Sequence, residues 1–140
     1  MQRRDFLAAV GAAATLVATP AMAEHMHDMH PPKYKALQDA AGHCVATAND
    51  CLRHCLGMLA MKDYTMTGCI NTAYQAVAAC RALATLAALN SPSTPAFAKA
   101  TLEVCLACQK ECEKYADVAE CKACAESCKA CAEECRKVAA

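Results

Sequence analysis

Residues 121–135 read CKACAESCKACAEEC, with Cys121, Cys124, Cys128, Cys131 and Cys135 spaced by three and four and no proline or glycine among them. That spacing keeps side chains on one face of an α-helix. The pattern recurs along the chain. At about 100° per residue, Cys44, Cys51 and Cys55 fall within an arc of about 40°, and Cys69 and Cys80 lie about 20° apart. Cys105, Cys108 and Cys112 span about 60°, and the five cysteines of 121–135 about 80°. Thirteen cysteines in 140 residues therefore form four stripes, one on each of four helical segments.

A buried cysteine often serves as a small hydrophobe. Thirteen on matched stripes displace the Leu, Ile and Val that would bury more apolar area, so packing alone does not explain them. Disulfides explain them poorly as well. Neighbours one helical turn apart have Cβ atoms about 5–6 Å apart, whereas a bridge wants about 3.8 Å, and the count is odd. Metal binding remains. Iron–sulfur ferredoxins carry C-x2-C-x2-C-x3-C-P on wrapping turns, and structural zinc takes four thiolates in a tetrahedron. A continuous stripe offers pairs of sulfurs instead, which suits two- or three-coordinate copper(I), the soft ion that thiolates and thioethers select. Charge agrees with this. Each Cu⁺ replaces one thiol proton and leaves a buried core neutral, whereas bare thiolates would be costly to bury.

Other soft donors cluster at one end of these stripes. His54, Met58 and Met61 flank the cysteines near the end of the first helical segment, and Met66 opens the second. Antiparallel helices would bring these four together beside Cys112 and Cys121, as a mouth through which copper enters. His43, flanking Cys44 at the other end, reads as a structural histidine. The segment EHMHDMHPP, with His25, Met26, His27, Met29 and His30, could capture copper or simply solubilise the chain.

Helical composition runs from about Lys33 to Lys62, from about Tyr64 to Leu89 with Asn90 as a stop, from Pro95 in the first turn after a Ser93 or Thr94 cap to about Tyr115, and from about Val118 to Val138. Short connections favour antiparallel neighbours, so the expected fold is all-α: an up-down four-helix bundle with a cysteine-lined core. On the last segment, Lys122, Glu126, Lys129, Glu133 and Arg136 lie opposite the cysteines, which makes the sulfur stripe the inward one.

The formal net charge is zero, which argues against nucleic acid as a partner. The first 23 residues have a charged start with Arg3-Arg4, an apolar stretch from Phe6 to about Val17, and Ala21-Met22-Ala23. This resembles a twin-arginine export signal. The expected organisation is signal peptide at 1–23, disordered His/Met-rich tail at 24–32 and copper-binding bundle at 33–140. The apolar run is too short to span about 30 Å of hydrocarbon, and no other segment could cross a membrane.

The segment H-C-x6-C-L-R-H-C at 43–55, M-x2-M at 58–61, T-P-A-F-A-K at 94–99 and A-E-C-K-A-C…A-C-A-E-E-C at 119–135 together resemble the copper storage proteins, four-helix bundles that hold many Cu(I) ions inside. The leader resembles that of the family's exported branch, which supplies copper to methane oxidation. The resemblance implies several Cu(I) ions per chain, bound by all thirteen cysteines, largely through the C-x-x-x-C pairs Cys51/Cys55, Cys108/Cys112, Cys124/Cys128 and Cys131/Cys135. It implies His54, Met58, Met61 and Met66 as ligands at the mouth. It also implies a homotetramer, a periplasmic or other extracytoplasmic location, and a copper chaperone or a copper enzyme such as methane monooxygenase as recipient. No oriented nucleophile–base pair suggests an enzyme. An iron–sulfur or thiol-redox electron-transfer protein is the alternative.

Overall fold

Each helix buries residues spaced alternately by four and three. In the computed structural model, which describes residues 30–139, α1 (Lys35–Ala60) turns Leu37, Ala41, Cys44, Ala48, Cys51 and Cys55 inward. α2 (Thr67–Ala88) does so with Cys69, Ala73, Ala76, Cys80, Leu83 and Ala87, and α3 (Thr94–Cys112) with Thr94, Ala98, Thr101, Cys105, Cys108 and Cys112. After a 3-10 turn at Glu113–Tyr115, α4 (Ala119–Val138) contributes Cys121, Cys124, Cys128, Cys131 and Cys135. A strict three–four alternation is the heptad pattern of knobs-into-holes packing, which holds helices nearly antiparallel. Because these knobs are mostly Ala and Cys, the interior is narrow and dominated by sulfur.

The helices run up and down in ring order, α1 against α2 and α4, and α3 against the same two. The antiparallel four-helix bundle with a cysteine-lined core is thus the observed fold, with no strand among the described residues. Lys122, Glu126, Lys129, Glu133 and Arg136 are exposed, on the face of α4 opposite its sulfur. The export signal at 1–23 and residues 24–29 of the tail lie outside the described residues; His30, Pro31 and Pro32 are exposed. No described helix is long and apolar enough to cross a membrane.

The loops account for the helix ends. α1 stops at Ala60, two residues before the expected Lys62, because Met61 caps it and Lys62 turns left-handed at φ 64°. The Asp63 carboxylate then accepts from the Thr65 amide at 2.9 Å and hydroxyl at 2.7 Å, so α2 begins only at Thr67. Asn90, at φ 51°, ends the second segment as expected, since Asn tolerates the left-handed region. Its side-chain oxygen accepts from the Lys33 amide at 2.8 Å, joining the start of α1 to the α2–α3 loop. Ser93 is the N-cap residue of α3 but makes no side-chain cap bond; the Thr94 hydroxyl instead donates to the Leu86 carbonyl at 3.2 Å. At the other end, Tyr115 donates its phenol to the Thr65 carbonyl at 2.6 Å and ties the 3-10 turn to the α1–α2 loop.

The two ends of the bundle differ. Leu37 and Leu83, with Ala87, Thr94 and Ala98, fill the Lys33–Asn90 end with buried side chains that carry no sulfur. The opposite end holds Cys55, Cys69, Cys112 and Cys121, with His54, Met58 and Met66 around them.

Candidate metal centre

All thirteen cysteines are free thiols with zero solvent exposure. Their sulfurs form one connected column. At the mouth, Cys51 Sγ lies 3.4 Å from Cys69, 3.7 Å from Cys121, 3.9 Å from Cys55 and 4.0 Å from Cys112. Cys69 and Cys112 approach to 3.3 Å across α2 and α3. Deeper in, Cys108 sits 3.9 Å from Cys112 and 3.8 Å from Cys124. Cys44 lies 3.5 Å from Cys128, and Cys80 is 3.6 Å from Cys105 and 3.9 Å from Cys131.

Four groups have all their sulfurs within 4.8 Å of one another: Cys51/Cys55/Cys69/Cys121, Cys51/Cys112/Cys124, Cys108/Cys124/Cys128 and Cys44/Cys80/Cys105. Consecutive groups share a residue, Cys51 for the first two and Cys124 for the next two. The Cys44–Cys128 contact joins the third to the fourth. With a metal–thiolate bond of about 2.3 Å, a trigonal site sets sulfurs about 4.0 Å apart and a linear one about 4.6 Å. The column therefore needs displacements of only a few tenths of an ångström to hold soft ions along its length.

Electrostatics hold nine of the thirteen thiols of the column protonated and draw four towards the thiolate. Burial, with Cys51 beside it, pushes the Cys55 thiol up to about 11, and burial likewise raises Cys121. Hydrogen bonds with Cys105, Cys108 and neighbouring thiols hold Cys128 protonated, and Cys80 and Cys112 are raised for the same reason. Cys105 is drawn down to about 6 by hydrogen bonds from Cys128 and Cys131, and Cys44, Cys51 and Cys108 are lowered by similar neighbours. A thiolate at any of these four depends on neutral S–H donors around it, so charge in the column is self-limiting.

A consequence for stability follows from the thiols that burial raises. Cys55 binds its proton more tightly folded than unfolded, so its contribution is fully present below about pH 9 and is lost as pH rises towards 11. The urea midpoint of the metal-free, reduced protein is expected to fall steadily between pH 9 and 11; a flat profile over that interval would contradict this burial effect.

The residues expected at the mouth are placed unequally. Met66 is buried at 4% exposure, and Met58 and His54 are half-buried beside the column. Met61, at the C-cap of α1, is 70% exposed and does not join the buried cluster. The expected C-x-x-x-C pairs are in contact: Cys51/Cys55 and Cys108/Cys112 at 3.9 Å, with Cys124/Cys128 and Cys131/Cys135 as thiol hydrogen-bond partners. His43 is exposed on α1. One mouth residue was missed from sequence. Glu120, in the first turn of α4, faces His54 at 3.9 Å and Arg53 at 3.7 Å. Its place immediately before Cys121, on a helix end that must meet His54, was the available signal.

No curated protein sequence matches the chain significantly. Among solved structures, the chain resembles apo copper storage protein 3 (Csp3) from Bacillus subtilis, at 30% identity and a TM-score of 0.67, over 76% of this chain and 98% of that one. It also resembles the Cu(I)-bound copper storage protein BsCsp3, at 30% identity and a TM-score of 0.69, over 76% of this chain and 97% of that one. Residues 30–140 match the family model of the copper storage proteins. With a sulfur-lined bundle of this form and a family match through the whole of it, the chain belongs to the copper storage protein family.

Proposed function

We propose that this chain stores copper as several Cu(I) ions inside its bundle, bound by the thirteen cysteine thiolates. The observation that carries this reading is the unbroken column of free, fully buried sulfurs running from the mouth to Cys135. The Cu(I)-bound state of the similar BsCsp3 supports the choice of ion. Soft thiolates select Cu(I), and replacing each thiol proton by Cu⁺ keeps the interior neutral.

Copper enters at the His54 end. Met58 and Met66 stand there beside the outermost thiols as weaker, exchangeable donors, and Met61 on the surface is a first contact. Ions then move inward by thiolate exchange through the shared residues Cys51 and Cys124. Storage rather than catalysis fits thiols that are all withdrawn from solvent. The twin-arginine-like leader supports export, to the periplasm or another extracytoplasmic compartment. The resemblance to the exported branch supports a homotetramer and delivery to a copper enzyme such as methane monooxygenase.

Anaerobic Cu(I) titration of the reduced, signal-free protein against a colorimetric chelator tests the reading, with thiols counted in parallel. Uptake is expected to continue to roughly one ion per cysteine, given two- to three-coordinate shared thiolates, with helical circular dichroism intact. Saturation after one or two ions would instead indicate a chaperone or redox module.

A further inference from the structure

Beyond the residues that could bind copper, the mouth carries a carboxylate with two specific neighbours. Glu120 Oε2 lies 3.9 Å from His54 Nδ1, and Glu120 Oε1 lies 3.7 Å from Arg53 Nη2. Glu120 comes from the first turn of α4, and the other two are consecutive residues of α1. Arg53 is largely exposed, whereas Glu120 and His54 are each about one-third exposed, so the contact sits at the rim where the two helices meet. The chain thus brings a carboxylate to one nitrogen of a ring whose other nitrogen is free to bind metal.

We infer that Glu120 is a positioning residue for His54: it holds the Nδ1–H tautomer and leaves Nε2 as the donor that meets incoming copper. A histidine ligand commonly donates its second ring N–H to a carboxylate, which fixes both the tautomer and the ring orientation. The 3.9 Å separation is ion-pair range rather than a hydrogen bond. A small rotation of the ring or one bridging water closes it. Arg53 occupies the other carboxylate oxygen, which orients Glu120 along the rim. The inference rests on the proposed copper storage and adds to it the residue that makes His54 a ready ligand.

Glu120 also has a purely structural role open to it, since an acidic residue in a helix's first turn favours the helix dipole. That role is indifferent to which nitrogen of His54 is protonated, and this separates the two. Nitrogen-15 NMR of the metal-free, reduced protein at pH 8 reads the tautomer directly. Wild type is expected to show His54 mainly as Nδ1–H, and Glu120→Ala to shift it towards Nε2–H. Glu120→Gln, which keeps the size of the side chain and an accepting oxygen but no charge, is expected to fall between. In chelator competition, the apparent affinity for the first Cu(I) is expected to drop about tenfold in Glu120→Ala, the usual scale for losing an outer-shell partner, with total capacity unchanged. An Nε2–H tautomer already dominant in wild type, or one unmoved in both variants, would overturn the inference. If wild type itself takes up only one or two ions, the storage reading fails, while the tautomer measurement still decides the role of Glu120.

Discussion

Cys51→Ala is expected to lower copper capacity by about two ions, whereas Cys135→Ala lowers it by at most about one. Both remove a single thiol from a buried stripe, so the contrast comes from their surroundings. Cys51 contacts Cys55 in its own helix and Cys69, Cys112 and Cys121 on the three others, all within 4.0 Å. It belongs to two of the four sulfur groups, so its loss opens both. Cys135 belongs to none of them, and the cysteine with which it shares a hydrogen bond is Cys131, one turn before it on the same helix. Neither change should unfold the bundle, because losing one sulfur from an Ala/Cys interior costs only about 1 kcal/mol. The same titration should also show slower filling of the deeper sites in Cys51→Ala, since Cys51 joins the mouth group to the next. Equal losses of one ion in both variants would mean that thiolates are not shared along the column.

Loading should raise the melting temperature by more than about 20 °C, the larger of the two effects in thermodynamic terms. The metal-free interior is poor in apolar mass. Among the described residues, Leu37 and Leu83 are the two leucines below 2% exposure, and the rest of the core is largely Cys, Ala and Thr. Small side chains bury little area each, so the empty bundle is held mainly by its heptad packing and loop ties. Each ion bound by the folded state alone adds about 4 kcal/mol when its free concentration is a thousand times its Kd. For a domain of this length, 1 kcal/mol moves the midpoint by roughly 2–8 °C, so even a few ions exceed the stated shift. Scanning calorimetry of metal-free and loaded samples under reducing conditions makes the comparison. A rise of only a few degrees would show that copper does not cross-link the helices.

Much of this could be read from residue spacing, and the exceptions have identifiable causes. The four sulfur stripes, the inward face of α4 and the stop at Asn90 depend on local periodicity and on one residue's tolerance of the left-handed region, both visible in the chain. Extending the three–four spacing back from Cys44 would also have reached Ala41 and Leu37, and on from Cys80 it reaches Leu83 and Ala87. The sulfur-free end built on Leu37, Leu83 and Ala87 was therefore legible in the same spacing. The exposure of Met61 has a different cause. Seven residues after His54 it shares the same face of an ideal helix, but α1 ends at Ala60, and the Lys62–Asp63 turn leaves the side chain in solvent. Glu120 was signalled only by its place before Cys121; its contact with His54 depends on the register between residues 66 positions apart on two helices. Which sulfurs touch across helices, such as Cys69 with Cys112, is undetermined by any single stripe for the same reason.

Under the proposed storage role, the difference between the two ends of the bundle sets the order in which copper leaves. Leu37, Leu83 and Thr94 shut one end, and the clasp between Lys33 and Asn90 holds the strands of chain outside it. With copper passing only through the His54 end, the last ion admitted would be the first released. Ions beside Cys131 and Cys135 would then form a slow reserve, and those beside Cys55 and Cys121 a ready one.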